Sequence, residues 1–133
     1  MIVLDASAAI EWLLQTDTGR RVEARMFGDP QTIHAPHLLD VEIAQVLRRL
    51  AAARVITPVR ADEALDDLRD LAVTRYPHDP FLDRIWDLRG NLTAYDAAYV
   101  ALAEALDAPL VTCDARLASG RGHRARVDVI GAM

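Results

Sequence analysis

Four carboxylates stand out from the apolar sequence that surrounds them. Asp5 ends the run Ile2-Val3-Leu4, and Asp114 comes just after Leu110-Val111-Thr112. Asp96 lies near the head of Ala94 to Leu106, three residues after Thr93. Glu42 falls one position before Ile43, beside an apolar stripe of Leu39, Ile43, Val46, Leu47 and Leu50. Acids gathered in one place repel one another and destabilise the fold unless a cation neutralises them. Hard divalent cations take oxygen ligands, and Mg²⁺ is usually held by a few carboxylates together with water and substrate phosphate. Four convergent acids would therefore make a site for a hard cation acting on a phosphate. Zinc is not indicated, because no His or Cys cluster has the necessary spacing. There is no Ser-His-Asp or Cys-His pattern either, and His34, His37, His78 and His123 are expected to be structural or exposed.

Each acid also has a purely structural reading. Asp5 can cap the first helix. Thr93-Ala94-Tyr95-Asp96 fits the capping box [ST]-x-x-[DE]. Asp114 can cap a short turn at Ala115-Arg116-Leu117, and Glu42 can be a solvated helix residue. Taken singly, capping is the better account of Asp96 and solvation the better account of Glu42. The joint pattern favours a site.

The elements that must position these residues are legible from periodicity. Ala94 to Leu106 contains no Gly or Pro and follows a good N-cap in Thr93, which predicts a helix buried on most sides. Asp107-Ala108-Pro109 stops it, and Leu110 to Thr112 is a short buried strand. Ile2 to Leu4 is a first strand and Ala6 to Leu14 a first helix. Gln15 to Gly19 reads as a polar turn, Arg20 to Phe27 as a second helix, and Thr32 to His34 as a second strand. Pro36 is placed in the first turn of a helix over His37 to Ala53. Thr57-Pro58 caps a helix to Leu71, with Ala61, Leu65 and Leu68 inward. Ala72 to Thr74 is a third strand, and Asp79-Pro80 opens a helix carrying Phe81, Ile85, Trp86 and Leu88. Val127 to Ile130 is the last strand. Strands alternating with helices predict an α/β fold with a mostly parallel sheet. In such folds ligands bind beyond the carboxyl ends of the strands, where strand order reverses. Asp5 and Asp114 follow strands, and Asp96 and Glu42 lie early in helices that can start at the same edge.

Composition narrows the functional classes. The chain has 133 residues, of which 52% are hydrophobic, so one domain with a real core is expected over residues 1–133. No apolar run reaches the roughly 18 residues of a membrane span. MIVLD lacks a basic leader, so no signal peptide is expected. One cysteine, Cys113, fits a reducing, cytoplasmic setting. The net charge of −5 gives no global attraction for nucleic acid. All 15 basic residues are Arg, since the chain contains no Lys.

Over nearly its whole length the chain resembles a PIN-domain ribonuclease of the VapC type, found as toxins of bacterial toxin–antitoxin pairs. The resemblance is carried by VLDASAAIEWL, by the acid in LLDVEIAQVLRR, by PHDPFLDRIWDLRGNLTAYDAAYVALAEAL and by LVTCDARLA. The long block is the specific part. It implies a three-layer α/β/α fold with a central, mostly parallel sheet of four to five short strands. It implies that Asp5, Glu42, Asp96 and Asp114 are the acidic catalytic site, that Mg²⁺ or Mn²⁺ is the cofactor, and that the partners are RNA, a second copy in a homodimer and a cognate antitoxin. Ser7 and Thr112 match polar positions near the metal, and Asn91 matches the segment entering the key helix.

Hydrolysis of a phosphodiester needs an activated water and stabilisation of charge on the phosphoryl and leaving oxygens, and bound metal can supply both. Asp5 and Asp96 are the expected direct ligands. Asp114 is expected to be a ligand or to hold metal-bound water, and Glu42 to orient such water or help bind a second ion. An RNA strand near an acidic rim needs local positive charge. Arg116, Arg121 and Arg124, with Arg126, follow Asp114 with no acid among residues 115–126, and Arg20, Arg21 and Arg25 form a second group. Both groups can equally be solvated surface. Tyr95 and Tyr99 can stack on bases, though core or interface places are commoner for such residues. Trp12, Leu13, Leu47 and Leu50 are core or, in part, a groove for an antitoxin helix. Phosphatases of the haloacid-dehalogenase type and receiver domains are disfavoured, because both require a Lys. A nucleotide binder needs a Gly-rich turn that DASAAI lacks. The remaining alternatives are a non-catalytic RNA- or protein-binding PIN module and a metal-dependent DNase or other phosphohydrolase.

Overall fold

The apolar runs read as strands pair into one parallel sheet. In the computed structural model, which describes residues 1–131, the strands are β1 (Ile2–Leu4), β2 (Ile33–Pro36), β3 (Val73–Tyr76), β4 (Leu110–Thr112) and β5 (Val127–Val129). Their spatial order is β3-β2-β1-β4-β5, and every pairing is parallel. The helices are α1 (Ala6–Leu13), α2 (Asp17–Phe27), α3 (Leu38–Ala52), α4 (Pro58–Asp70), α5 (Leu82–Asp87), α6 (Ala94–Leu106) and the single turn α7 (Arg116–Ser119). A 3₁₀ turn, Asp79–Phe81, leads into α5. Helices α1 to α4 pack among themselves, and α5 packs on α6. Right-handed crossovers put the first group on one face of the sheet and the second on the other. The result is the expected three-layer α/β/α sandwich. Chain order reverses between β1 and β4, which lie side by side.

The core follows from a sheet covered on both faces. Ile2, Val3 and Leu4 are wholly buried, as are Leu110 and Val111, because a central parallel strand has no solvent side. Each such aliphatic side chain contributes about 1.5–3 kcal/mol on burial. Helix α6 is buried continuously from Ala97 to Ala103. Its small residues allow close approach to the sheet, and Tyr99 and Leu102 fill the larger gaps.

Two element boundaries depart from expectation for local reasons, and one aromatic in the fifth helix is exposed. Helix α2 starts at Asp17 rather than Arg20, because Thr16 caps it by accepting a hydrogen bond from the Gly19 N–H at 2.9 Å. Gly19 is therefore inside the helix. A Cβ there would sit 1.9 Å from the Glu11 carbonyl oxygen, so glycine is what lets α2 cross α1 closely. Pro36 belongs to β2, paired with Tyr76, and not to α3. Amides alternate sides along a strand. The His37 N–H goes to the Tyr76 carbonyl of β3 at 2.8 Å, so the N–H that Pro36 lacks falls on the β1 side, where β1 has already ended. In the fifth helix Ile85 and Leu88 are buried, whereas Trp86 is 66% exposed, with the Arg89 guanidinium 4.5 Å from its ring centre.

Candidate functional site

The reversal of chain order puts the ends of β1 and β4 next to each other, and the helices that follow β1 and β2 start at the same edge. Asp5, Glu42, Asp96 and Asp114 all line one cleft there, of about 750 Å³.

Asp5 is the most constrained of the four. It is 6% exposed. The Ser7 hydroxyl donates to its Oδ2 at 2.6 Å and the Thr112 hydroxyl donates to the same oxygen at 2.7 Å. Each hydroxyl is itself held by a backbone donor. The Cys113 N–H donates to Ser7 Oγ at 2.9 Å, and the Asp114 N–H donates to Thr112 Oγ1 at 3.0 Å. Helix α1 and strand β4 thus orient one carboxylate, and its other oxygen accepts from neither hydroxyl. The pairing β1–β4 makes this possible, since Ser7 and Thr112 are 105 residues apart in sequence.

Asp96 is half-buried in the first turn of α6. Thr93 caps that helix, but the bond it accepts comes from the backbone N–H of Asp96, at 3.1 Å. The cap is real and leaves the carboxylate to face the cleft. Burial raises the pKa of Asp96, and the charges of Asp5 and Asp114 raise it further, with Arg116 and the Thr93 hydroxyl opposing. Glu42 is also raised, first by burial and then by Asp5 and Asp96, against the lowering effect of Tyr99. Tyr99 is 1% exposed, and its phenol donates to Glu42 Oε1 at 2.7 Å. Asp114 behaves oppositely. Arg116 donates to it from Nη2 at 2.6 Å and from Nε at 3.0 and 3.1 Å, and so holds its carboxyl below the usual range.

This electrostatic pattern fits a cation. Asp96 and Glu42, both raised in part by the charges of neighbouring acids, would be relieved by positive charge among them. The donors are all oxygens, the preference of a hard divalent ion. Among the described residues no three His, Cys, Asp or Glu groups stand close enough to enclose an ion by themselves. Water and a substrate phosphate would complete the ligand set, which is how Mg²⁺ is commonly held.

The arginines divide. Arg116 lines the cleft. Arg121 and Arg124 do not. The Arg124 N–H donates to Glu104 at 2.7 Å, and Arg124 lines a separate hollow with Arg126 near the far end of α6 from Asp96. Arg20 pairs with Asp17 within α2, whereas Arg25 pairs with Asp128 of β5 and Arg21 donates to the Gly131 carbonyl, so the latter two tie α2 to β5 and the residues after it. Leu13 and Leu47 are 2% exposed and belong to the core, though Leu13 also lines a surface hollow beside Trp12, while Trp12 and Leu50 are partly buried. His34 is structural, held between Thr32 Oγ1 and the Tyr76 hydroxyl at 2.7 Å each. Tyr95 is 63% exposed on the cleft wall, while Tyr99 is core. The link from Tyr99 to Glu42 was not foreseen. Its only sequence signal is a polar-tipped aromatic three residues after Asp96, on a helix otherwise buried. Cys113 also lines the cleft, with its thiol pushed up to about 11 by burial and by the charges of Glu11 and Asp5.

The chain is similar to proteins of one family. The PIN domain profile matches residues 2–121. Ribonuclease VapC12 of Mycobacterium tuberculosis (strain ATCC 25618 / H37Rv) is 42% identical over 130 residues, covering 98% of this chain and 99% of its own. Ribonuclease VapC9 of the same strain is 50% identical over 117 residues, covering 88% of each. Among solved structures, Mycobacterium tuberculosis VapC20, described as a sarcin-ricin loop cleaving toxin, superposes with a TM-score of 0.70 at 13% identity. It covers 93% of this chain and 97% of its own. VapBC2 from Rickettsia felis, bound to a DNA fragment from its promoter, gives a TM-score of 0.69 at 12% identity, with 97% and 98% coverage. At such identities the two structures speak to the fold.

Proposed function

The chain belongs to the PIN-domain family, and from that membership we propose that it is a metal-dependent endoribonuclease, the toxin of a toxin–antitoxin pair. The observation that carries the reading is the convergence of Asp5, Glu42, Asp96 and Asp114 on one cleft at the sheet's reversal point. The relatives named as ribonucleases, similar over nearly the whole chain, support the substrate class.

Asp5, Asp96 and Asp114 would hold Mg²⁺ or Mn²⁺, which supplies Lewis acidity toward the phosphoryl oxygens and lowers the pKa of the attacking water. The Ser7 and Thr112 hydroxyls keep Asp5 in one rotamer, so its free oxygen is presented without further loss of entropy. Glu42, fixed by the Tyr99 phenol, stands ready to accept a proton from water entering the cleft. Arg116 holds Asp114 and lies on the cleft wall, where its spare donors can meet a substrate phosphate.

Cleavage of RNA by the purified protein tests this directly. We expect cutting that requires Mg²⁺ or Mn²⁺, stops on chelation and resumes when the ion is restored. Undiminished cutting by chelator-treated protein would overturn the mechanism.

A further inference from the structure

The cleft does not end at the four acids. Its α3 wall continues from Glu42 through Gln45 and Val46 to Arg49, with Ile10 of α1 also lining it. These α3 positions recur at three- and four-residue spacing, so they share one helix face. Arg49 lies two turns beyond Glu42, about 10 Å along the helix axis. Two arginines line the cleft, and they differ. Arg116 is committed to Asp114, whereas among the described residues no carboxylate pairs with Arg49. The neighbouring Arg48 does not line the cleft at all.

An acidic pit repels a polyanion, and the net charge of −5 adds to the repulsion. A strand can settle there only if cations hold its phosphates on either side of the acids. Arg116 is placed for one side, and Arg49 is the cleft's remaining cation. We propose that Arg49 binds a backbone phosphate of the RNA, about two or three nucleotides from the cleaved bond. The apolar wall of Val46 and Ile10 then lies under the intervening nucleotides, so α3 is the track of the substrate. Arg49 is a positioning residue in this arrangement. The proposal rests on the ribonuclease reading.

Steady-state cleavage of two RNA substrates separates the outcomes. One is a long oligonucleotide spanning a mapped cut. The other is trimmed to the nucleotides that flank the cut directly. Arg49→Ala is expected to raise KM on the long substrate roughly 10- to 100-fold, the scale of a charged hydrogen bond, with kcat unchanged. It should also lower the slope of log(kcat/KM) against log[salt] by about one. On the trimmed substrate Arg49→Ala and wild type should coincide, and Arg48→Ala should follow wild type on both. Equal KM and equal salt slope for Arg49→Ala on the long substrate would overturn the proposal. So would an equal penalty on both substrates. If Arg49→Ala cuts RNA normally but escapes inhibition by a protein partner, the α3 wall is a protein-docking surface, and the proposal falls. If wild type cuts no RNA, the ribonuclease reading itself fails and takes this proposal with it.

Discussion

At Asp96 a capping role and a proposed chemical role meet in one residue. The helix cap takes the backbone N–H, while the carboxylate faces Asp5 and Asp114 across the cleft. Asp96→Asn keeps the backbone donor and the side-chain size and removes one negative charge from the cluster. We expect it to abolish metal-dependent cleavage while leaving the metal-free protein with an equal or higher melting temperature. A purely capping role for the side chain predicts the reverse, with activity kept and about 0.5–2 kcal/mol of stability lost. Thermal melts in chelator and cleavage assays on the same preparations decide between them. The capping-box pattern was legible in the sequence. That the carboxylate also faces Asp5 and Asp114 was not, because it depends on the rotamer adopted beside β1 and β4.

At the scale of elements, the site depends on how α6 is seated, and one ion pair helps seat it. Arg84 of α5 donates to both oxygens of Glu104 near the end of α6, at 2.7 and 2.9 Å, and to the Gly122 carbonyl at 3.0 Å. Glu104 also accepts from the Arg124 N–H. The pair therefore ties α5, α6 and the segment before β5 together. The Glu104 side chain is 5% exposed, so solvent screens the interaction little. The Arg84 hydrogen bond lowers the Glu104 pKa below its ordinary value of 4.5, with burial opposing. A lowered carboxylate pKa gives stability that is present above the unfolded-state value and is lost as pH falls through the folded-state value. We expect Glu104→Gln to cost about 1.5–3 kcal/mol at neutral pH. The gap from wild type should narrow as pH drops below the ordinary carboxylate value. Denaturant melts of both proteins across that range measure it, and a gap that does not change with pH would refute the ion-pair account. Arg124 was read as a substrate contact because it follows Asp114 in a basic run. The fold carries it away along the sheet edge to Glu104.

For the whole molecule, the sheet order creates the site and the surface charge limits what reaches it. A chain of net charge −5 with an acidic cleft would hold RNA, as proposed, only through a few placed arginines. The cleft rim is also apolar in places. Val41 is 68% exposed and Tyr95 63%, and both line the cleft. Apolar surface rimmed by charge suits a protein partner. We expect the proposed antitoxin to cover this cleft, so that the purified toxin–antitoxin complex cuts RNA far more slowly than the free chain under the same metal conditions. Equal rates would mean that the partner binds elsewhere. Among the described residues no helix is long and apolar enough to cross a membrane.

What the sequence by itself determined is whatever depends on neighbours along the chain. Apolar runs at β1 and β4 demanded a sheet covered on both faces. The caps at Thr57 and Thr93 set helix starts, and an acid after each central strand pointed to the strand ends. Thr16 and Pro36 were misread because a cap and a strand-end proline resemble turn residues until their hydrogen-bond partners are known. The rest only the tertiary structure decided. Ser7 and Thr112 share Asp5 across 105 residues, and Tyr99 reaches Glu42 across 57. Arg116 neutralises Asp114 while Arg124 is carried to the other end of α6. These outcomes follow from parallel strand pairing and from the direction of each crossover. Both bring distant segments together, and periodicity within a single segment carries no information about either.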